Sequence, residues 1–149
     1  MSESTEVRKI VEDHRKQTKL HSKLFRNLYI VECGNQDGNY WIDSEFEVKP
    51  EVIDAFGNFN AGLFNALFDI LSYLLANHIG KSIISLNISV NCLENVGIKE
   101  IVKSRTICTY SHENYLIFKI EAFVGNRLVG VGSHSVKYLE NLLSPKEKL

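Results

Sequence analysis

A long apolar segment in the middle of the chain constrains the fold more than any other feature. From Leu63 to Ile79 the residues are almost wholly apolar, and Gly80 follows them. Apolar side chains on nearly every face of a helix predict that protein surrounds it on most sides. The segment approaches the length of a membrane span, but the carboxylate of Asp69 would be costly in lipid. We therefore expect one buried helix that ends at Gly80, and no membrane span.

The residues on both sides of this helix have the patterns of β-strands. From Tyr40 to Lys49 apolar and polar side chains alternate, and Pro50 ends the run. The stretch 82–91 also alternates. Its apolar face carries Ile84, Leu86, Ile88 and Val90, and its polar face carries Ser85. Further strands are predicted at 27–32, 99–110, 115–124 and 127–138. The pattern indicates an α+β fold, an antiparallel sheet of about six strands packed on one central helix.

Length and composition indicate a single globular domain. The chain has 149 residues, 44% of them hydrophobic, and no repeat or linker divides it. We place the domain at residues 27–140, after a helical extension at 1–26 and before a polar tail at 141–149. The balanced charge, 17 basic and 18 acidic residues, argues against a nucleic-acid surface.

The cysteines and the N-terminal residues bear on the cellular compartment. Three cysteines without a CxxC pairing suggest neither a disulfide framework nor a zinc site. The N-terminal stretch lacks the apolar core of a secretory signal, and its acidic residues argue against a standard transit peptide. We expect a cytoplasmic protein, with the mitochondrion as an open alternative.

Asp69 belongs to a polar stripe along the predicted helix. Asn65, Asp69 and Ser72 follow one another at spacings of four and three, which places them on one face. Two interpretations are open: a buried acid satisfied by neighbouring side chains, or a catalytic carboxylate.

The residues at the start of the helix favour the catalytic interpretation. Asn60-Ala61-Gly62 followed by Asp69 resembles the signature of hotdog-fold acyl-CoA thioesterases, especially the phenylacetyl-CoA thioesterase-like (PaaI-like) branch. In that branch the helix opens with His-Gly-Gly, and an acid lies nine positions after the His. Asn60 stands at the His position and Asp69 nine residues on. Two later stretches resemble strands of the same family, LNISVNCLENVG (86–97) and VGSHSVKYL (131–139).

The resemblance implies a fold, an assembly and a reaction. The fold is a curved antiparallel sheet wrapped around the central helix, and the assembly is a homodimer that often pairs into a homotetramer. Active sites lie between subunits, with the helix start from one protomer and the acid from the other. The Ala61 N–H would stabilise an oxyanion, while Asp69 would activate water or attack the thioester carbonyl. The substrate is an acyl-CoA, and no metal or organic cofactor is needed.

Several residues depart from the family pattern. Asn60 cannot act as an acid or base, although its amide can donate a hydrogen bond. Ala61 lacks the conformational freedom of the usual glycine. Asp54 replaces an Asn that some members carry six residues before the His position. A carboxylate there is expected to raise the pKa of one of the two acids or to repel the oxyanion. Ser82 and Ser85 both come into question for the Ser or Thr that the family has on the following strand. We favour Ser85, which lies on the polar face of that strand, whereas Ser82 is at its edge.

The sequence also allows alternative functions and offers further candidate residues. The main alternative is a non-catalytic hotdog protein that binds acyl-CoA or acts as a scaffold. A hydratase ranks lower, because that activity pairs an Asp with a His and the only His near Asp69 in sequence is His78. His112 and His134 are interpreted as structural or exposed. Phe64, Phe68 and Tyr73 are candidates for an acyl tunnel or plain core. The cations available to the phosphates of coenzyme A are Lys81, Lys103, Arg105, Arg127 and Lys137.

Overall fold

The structure is a computed structural model that describes residues 25–139. Nearly all of the predicted helical extension at 1–26, and the whole tail at 141–149, lie outside the described residues. The described chain forms one six-stranded antiparallel sheet and one long helix, as the sequence predicted.

The elements follow the predicted order along the chain. They are β1 (Leu28–Gln36), β2 (Asn39–Glu47), a 3-10 turn (Pro50–Val52), α1 (Ala61–Ile79), β3 (Ile83–Cys92), β4 (Ile101–His112), β5 (Tyr115–Val124) and β6 (Arg127–Tyr138). The strands are arranged β1-β2-β4-β5-β6-β3, so β1 and β3 form the two edges of the sheet. Helix α1 packs on one face of the sheet and contacts β2, β4, β6 and β3.

Helix α1 begins and ends where its flanking residues satisfy the free backbone groups. The Asn60 side chain accepts a hydrogen bond from the N–H of Leu63 at 3.1 Å, which caps the first turn. Gly80 has φ 80°, a left-handed conformation that glycine adopts without strain, and it ends the helix. Within residues 25–139 no helix is both long and apolar enough to cross a membrane.

The core is built around aromatic side chains of α1 and two glycines of β6. Phe64 and Phe68 are fully buried, with ring centroids 5.8 Å apart. A Cβ atom at Gly130 would lie 3.0 Å from the Phe64 ring, and one at Gly132 would lie 2.5 Å from the Phe68 ring. The two rings therefore fill the space that these glycines leave, and both residues are core. Tyr73 is only half-buried.

The alternation predicted for β3 is wrong in its first half. The register with β6 shifts between Ser85 and Asn87, which marks a β-bulge at Leu86. Because the extra residue reverses the alternation, Ile84 and Leu86 are 45% and 51% exposed instead of facing the core. Ser85 lies opposite the buried Val136, and its hydroxyl is hydrogen-bonded to the buried His134, although Ser85 itself is exposed.

Candidate active site

The start of α1 presents two free backbone donors. Asn60 is extended (φ −81°, ψ 176°), and its carbonyl accepts the N–H groups of Leu63 and Phe64. The N–H groups of Ala61 and Gly62 precede these and have no hydrogen-bond partner in the part of the chain that the structure describes. Both residues are exposed. Unpaired N–H groups and the positive end of the helix dipole favour an anion at this position.

Asp54 stabilises the loop that leads into the helix. Its Oδ1 accepts the N–H groups of Phe56 at 2.9 Å and of Asn58 at 3.0 Å. The hydrogen bond from the Asn58 N–H is the main cause that lowers the pKa of the Asp54 carboxyl. Desolvation opposes this shift, and the Phe56 N–H lowers the pKa further. The expected rise of the pKa is therefore not found at Asp54, whose carboxylate is engaged in holding this turn.

Asp69 lies against a histidine that sequence reasoning did not select. Its side chain is 29% exposed, and its Oδ1 is 3.9 Å from Nε2 of His134 on β6. The same Nε2 is hydrogen-bonded to Oγ of Ser85 on β3. His134 is fully buried, so of the two interpretations, structural or exposed, the exposed one is wrong. Three elements thus bring Asp69, Ser85 and His134 together. The sequence did contain a signal. His134 lies two residues before Val136 on the same strand, so both side chains are on the inward face of the sheet.

Burial and the charge of Asp69 set the ionisation of this cluster. Burial lowers the pKa of His134, and the attraction of Asp69 opposes this shift only in part. The pKa of Tyr73 is raised, first by desolvation and then by the negative charge of Asp69. A lowered pKa keeps the imidazole neutral, so that one ring nitrogen carries a hydrogen and the other a lone pair.

The three residues of the polar stripe lie in different environments. Asn65 is exposed, whereas Ser72 is fully buried and donates its hydroxyl to the carbonyl of Phe68 at 2.9 Å. Asp69 lies between them, at the boundary of core and solvent.

The helix start and Asp69 of one chain are too far apart to share a substrate carbonyl. A helix rises 1.5 Å per residue, so the nine positions from Asn60 to Asp69 correspond to about 13 Å. The structure therefore places the sequence-predicted residues in two groups, one around Asn60 and one around Asp69. Residues within each group are in contact, and the two groups are not.

The candidate phosphate-binding cations differ in their partners. Arg105 forms two 2.8 Å hydrogen bonds with Asp43, Lys103 lies 3.5 Å from a Glu45 oxygen, and Arg127 bridges Glu94 and Glu100. Lys81 and Lys137 instead lie over tyrosine rings, at 4.3 Å from the Tyr138 centroid and 5.7 Å from that of Tyr115. Among the described residues, neither of these lysines pairs with a carboxylate.

The described residues contain no group of three or more His, Cys, Asp or Glu side chains that could hold a metal ion.

Comparison with known proteins identifies the fold. No protein-family model and no curated protein matches this sequence. Solved structures do match. A hypothetical thioesterase with coenzyme A from Streptococcus pneumoniae has a TM-score of 0.74 at 17% identity, covering 86% of this chain and 95% of that chain. A thioesterase from Haemophilus influenzae has a TM-score of 0.71 at 22% identity, covering 83% and 85%. The phenylacetic acid degradation protein PaaI from Thermus thermophilus has a TM-score of 0.71 at 18% identity, covering 82% and 100%. These likenesses confirm the predicted hotdog fold.

Proposed function

We propose that this protein is an acyl-CoA thioesterase, which hydrolyses a fatty or aryl acyl-CoA to a free acid and coenzyme A. The observation that carries the proposal is the position of Asp69. Its partly exposed carboxylate lies on the central helix of a hotdog fold, near a histidine that is hydrogen-bonded to a serine. The structural neighbours include a thioesterase with coenzyme A, which supports the choice of substrate. The only cofactor-like group in the reaction is the coenzyme A of the substrate itself.

The helix start would stabilise the oxyanion. In thioester hydrolysis the carbonyl oxygen becomes negatively charged as the tetrahedral intermediate forms. The N–H of Ala61, with that of Gly62 beside it, is unpaired and ready to donate to this oxygen. Because both groups are fixed by the capped first turn, they need no reorganisation during the reaction.

Asp69 would supply the base or the nucleophile. As a base, its carboxylate takes a proton from water while the water oxygen attacks the thioester carbon. Collapse of the intermediate then breaks the carbon–sulfur bond, and the proton is returned to the leaving thiolate of coenzyme A. As a nucleophile, Asp69 would attack the thioester carbon and expel coenzyme A as its thiolate. The resulting mixed anhydride of Asp69 and the acyl group would then be hydrolysed by water. In either case the Ser85 hydroxyl would orient the water.

The site would be shared between two protomers. Since about 13 Å separates the two groups within one chain, a second copy must bring its helix start to Asp69. The exposed edge of β3, with Ile84 and Leu86 on it, offers free backbone groups and apolar area to such a copy. We therefore propose that the active form is a homodimer, which can pair further into a homotetramer.

Lys81 and Lys137 are proposed to meet the phosphates of coenzyme A. The other three candidate cations already have carboxylate partners, which phosphate would have to displace. The neighbouring rings of Tyr115 and Tyr138 add flat surfaces on which a nucleotide base can stack.

A non-catalytic hotdog protein is the second candidate. The Oδ1 of Asn60 caps its own helix, and an amide at this position cannot act as an acid or base. This engagement favours a protein that binds acyl-CoA without hydrolysing it.

The test is release of free thiol from a panel of acyl-CoAs of different chain length. Asp69→Asn is expected to lower the rate by about 100-fold or more, the scale of a lost base. Asp37→Asn is the matched control, because Asp37 lies in the β1–β2 turn with φ 54°, a conformation that Asn tolerates. Equal, negligible rates for wild type and Asp69→Asn, together with tight acyl-CoA binding, would establish the non-catalytic alternative.

A further inference from the structure

The buried histidine of the site has an unusual set of neighbours. Nε2 of His134 lies against both Ser85 Oγ and Asp69 Oδ1, whereas its Nδ1 is buried without a hydrogen-bond partner in the described chain. Both polar contacts therefore meet at one nitrogen. In a Ser-His-Asp triad the serine and the acid contact opposite nitrogens, so this arrangement is not a proton relay of that kind.

From this geometry we infer that His134 is a positioning residue, which donates its Nε2–H to Ser85 Oγ and so directs the serine hydroxyl proton toward the attacking water. The inference rests on the proposed thioesterase activity. It assigns no proton transfer to the imidazole, and it makes Ser85 rather than His134 the group that touches the water.

The choice of tautomer follows from the charges around the ring. In the Nε2–H tautomer the hydrogen faces Ser85 Oγ and the negative Asp69 oxygen 3.9 Å away, which attracts it. In the Nδ1–H tautomer a donor would be buried without a partner, and a lone pair would face the carboxylate. Buried unpaired N–H groups are rare because they lose hydrogen bonds to water. Both effects favour hydrogen on Nε2.

The direction of the Ser85 hydroxyl follows from the tautomer. If Nε2 carried the lone pair, it would accept the Ser85 proton and hold it away from the substrate. With Nε2–H as the donor, Ser85 Oγ is the acceptor and its own proton is free for the water beside Asp69.

Few other charged groups face the ring. From α1 the charged neighbour is Asp69, whose Oδ1 lies 3.9 Å from Nε2. Opposite His134, β5 contributes Phe118 and β3 contributes Ile88, neither of which titrates. The tautomer is thus set by Asp69 and Ser85.

The first test measures the tautomer directly, by NMR of nitrogen-15-labelled histidine in the folded wild-type protein. The expected result is a proton on Nε2 and none on Nδ1 of His134, and a proton on Nδ1 would overturn the inference. This measurement is independent of catalysis, so it tests the Nε2–H donor even if the protein hydrolyses no acyl-CoA.

The second test is a double-mutant cycle on thiol release. His134→Leu removes the donor and is expected to lower kcat about tenfold with KM unchanged, the scale of one lost hydrogen bond. His134→Gln, whose amide can donate, should restore most of this loss. In a Ser85→Ala background, His134→Leu should have no further effect, because the residue acts through Ser85. A full, additive loss in that background, or failure of Gln to restore kcat in a folded protein, would refute the positioning role.

Discussion

Replacing Ala61 by proline is expected to remove one backbone N–H and little else. Ala61 is the first residue of α1, its side chain is exposed, and the preceding Asn60 is extended. Proline is favoured at this helix position, since no intrahelical hydrogen bond is lost, and an extended residue is what normally precedes it. We therefore expect the free energy of unfolding to change by less than about 0.5 kcal/mol.

The expected effect on catalysis is much larger. Loss of one oxyanion donor typically lowers kcat by about 10²- to 10³-fold, which corresponds to roughly 2.7–4 kcal/mol. The assay is steady-state thiol release, with thermal unfolding recorded on the same samples. Ala61→Ser is the matched control, because it changes the side chain and keeps the N–H. If Ala61→Pro melts like wild type and keeps its kcat within about twofold, the helix start is not the oxyanion hole.

Four further perturbations test the packing, assembly, binding and ionisation of the protein. Gly132→Ala would place a Cβ 2.5 Å from Phe68, so we expect a loss of about 1–3 kcal/mol in urea unfolding, and an unchanged midpoint would contradict this packing. Leu86→Glu should shift the assembly toward monomer in light scattering, because it puts a charge on the exposed β3 edge; an unchanged mass would place the interface elsewhere. Lys137→Glu should raise KM for acyl-CoA but not for an acyl-pantetheine, which has no nucleotide, and an equal rise for both would exclude a phosphate contact. Because burial lowers the pKa of His134, the unfolded chain binds the extra proton, so thermal stability should fall as the pH drops below about 6.5. That fall should be weaker in His134→Gln, and an equal slope would contradict the shift.

Hydrophobic periodicity was sufficient to predict the helix and most of the strands. The helix is apolar on most faces, and Gly80 marks its end in the sequence as in the structure. In β2 the inward positions Ile42 and Phe46 are buried, and so is Val48 directly after the strand, as their alternation predicted. These predictions are confirmed because the pattern is regular and the environment of each side chain follows from local spacing alone.

Periodicity failed in β3 and at His134 for a different reason. The bulge at Leu86 is set by pairing with β6, and no local pattern reveals an extra residue. Likewise, Asp69, Ser85 and His134 come from three separate elements, so only the folded sheet shows that they meet. The hydrogen bonds of Asp54 were not predicted either: its carboxylate accepts the backbone N–H groups of Phe56 and Asn58, two and four residues further along the chain.

Subunit complementation tests the two-protomer site most directly. Asp69→Asn and Ala61→Pro protomers are each expected to be inactive alone, and they are unfolded and refolded together in equal amounts. If each site combines Asp69 of one protomer with the helix start of the other, every mixed dimer contains one intact site. Random pairing makes about half of the dimers mixed, so the mixture should recover about a quarter of wild-type activity. A mixture as inactive as its two parents would contradict a site shared between protomers.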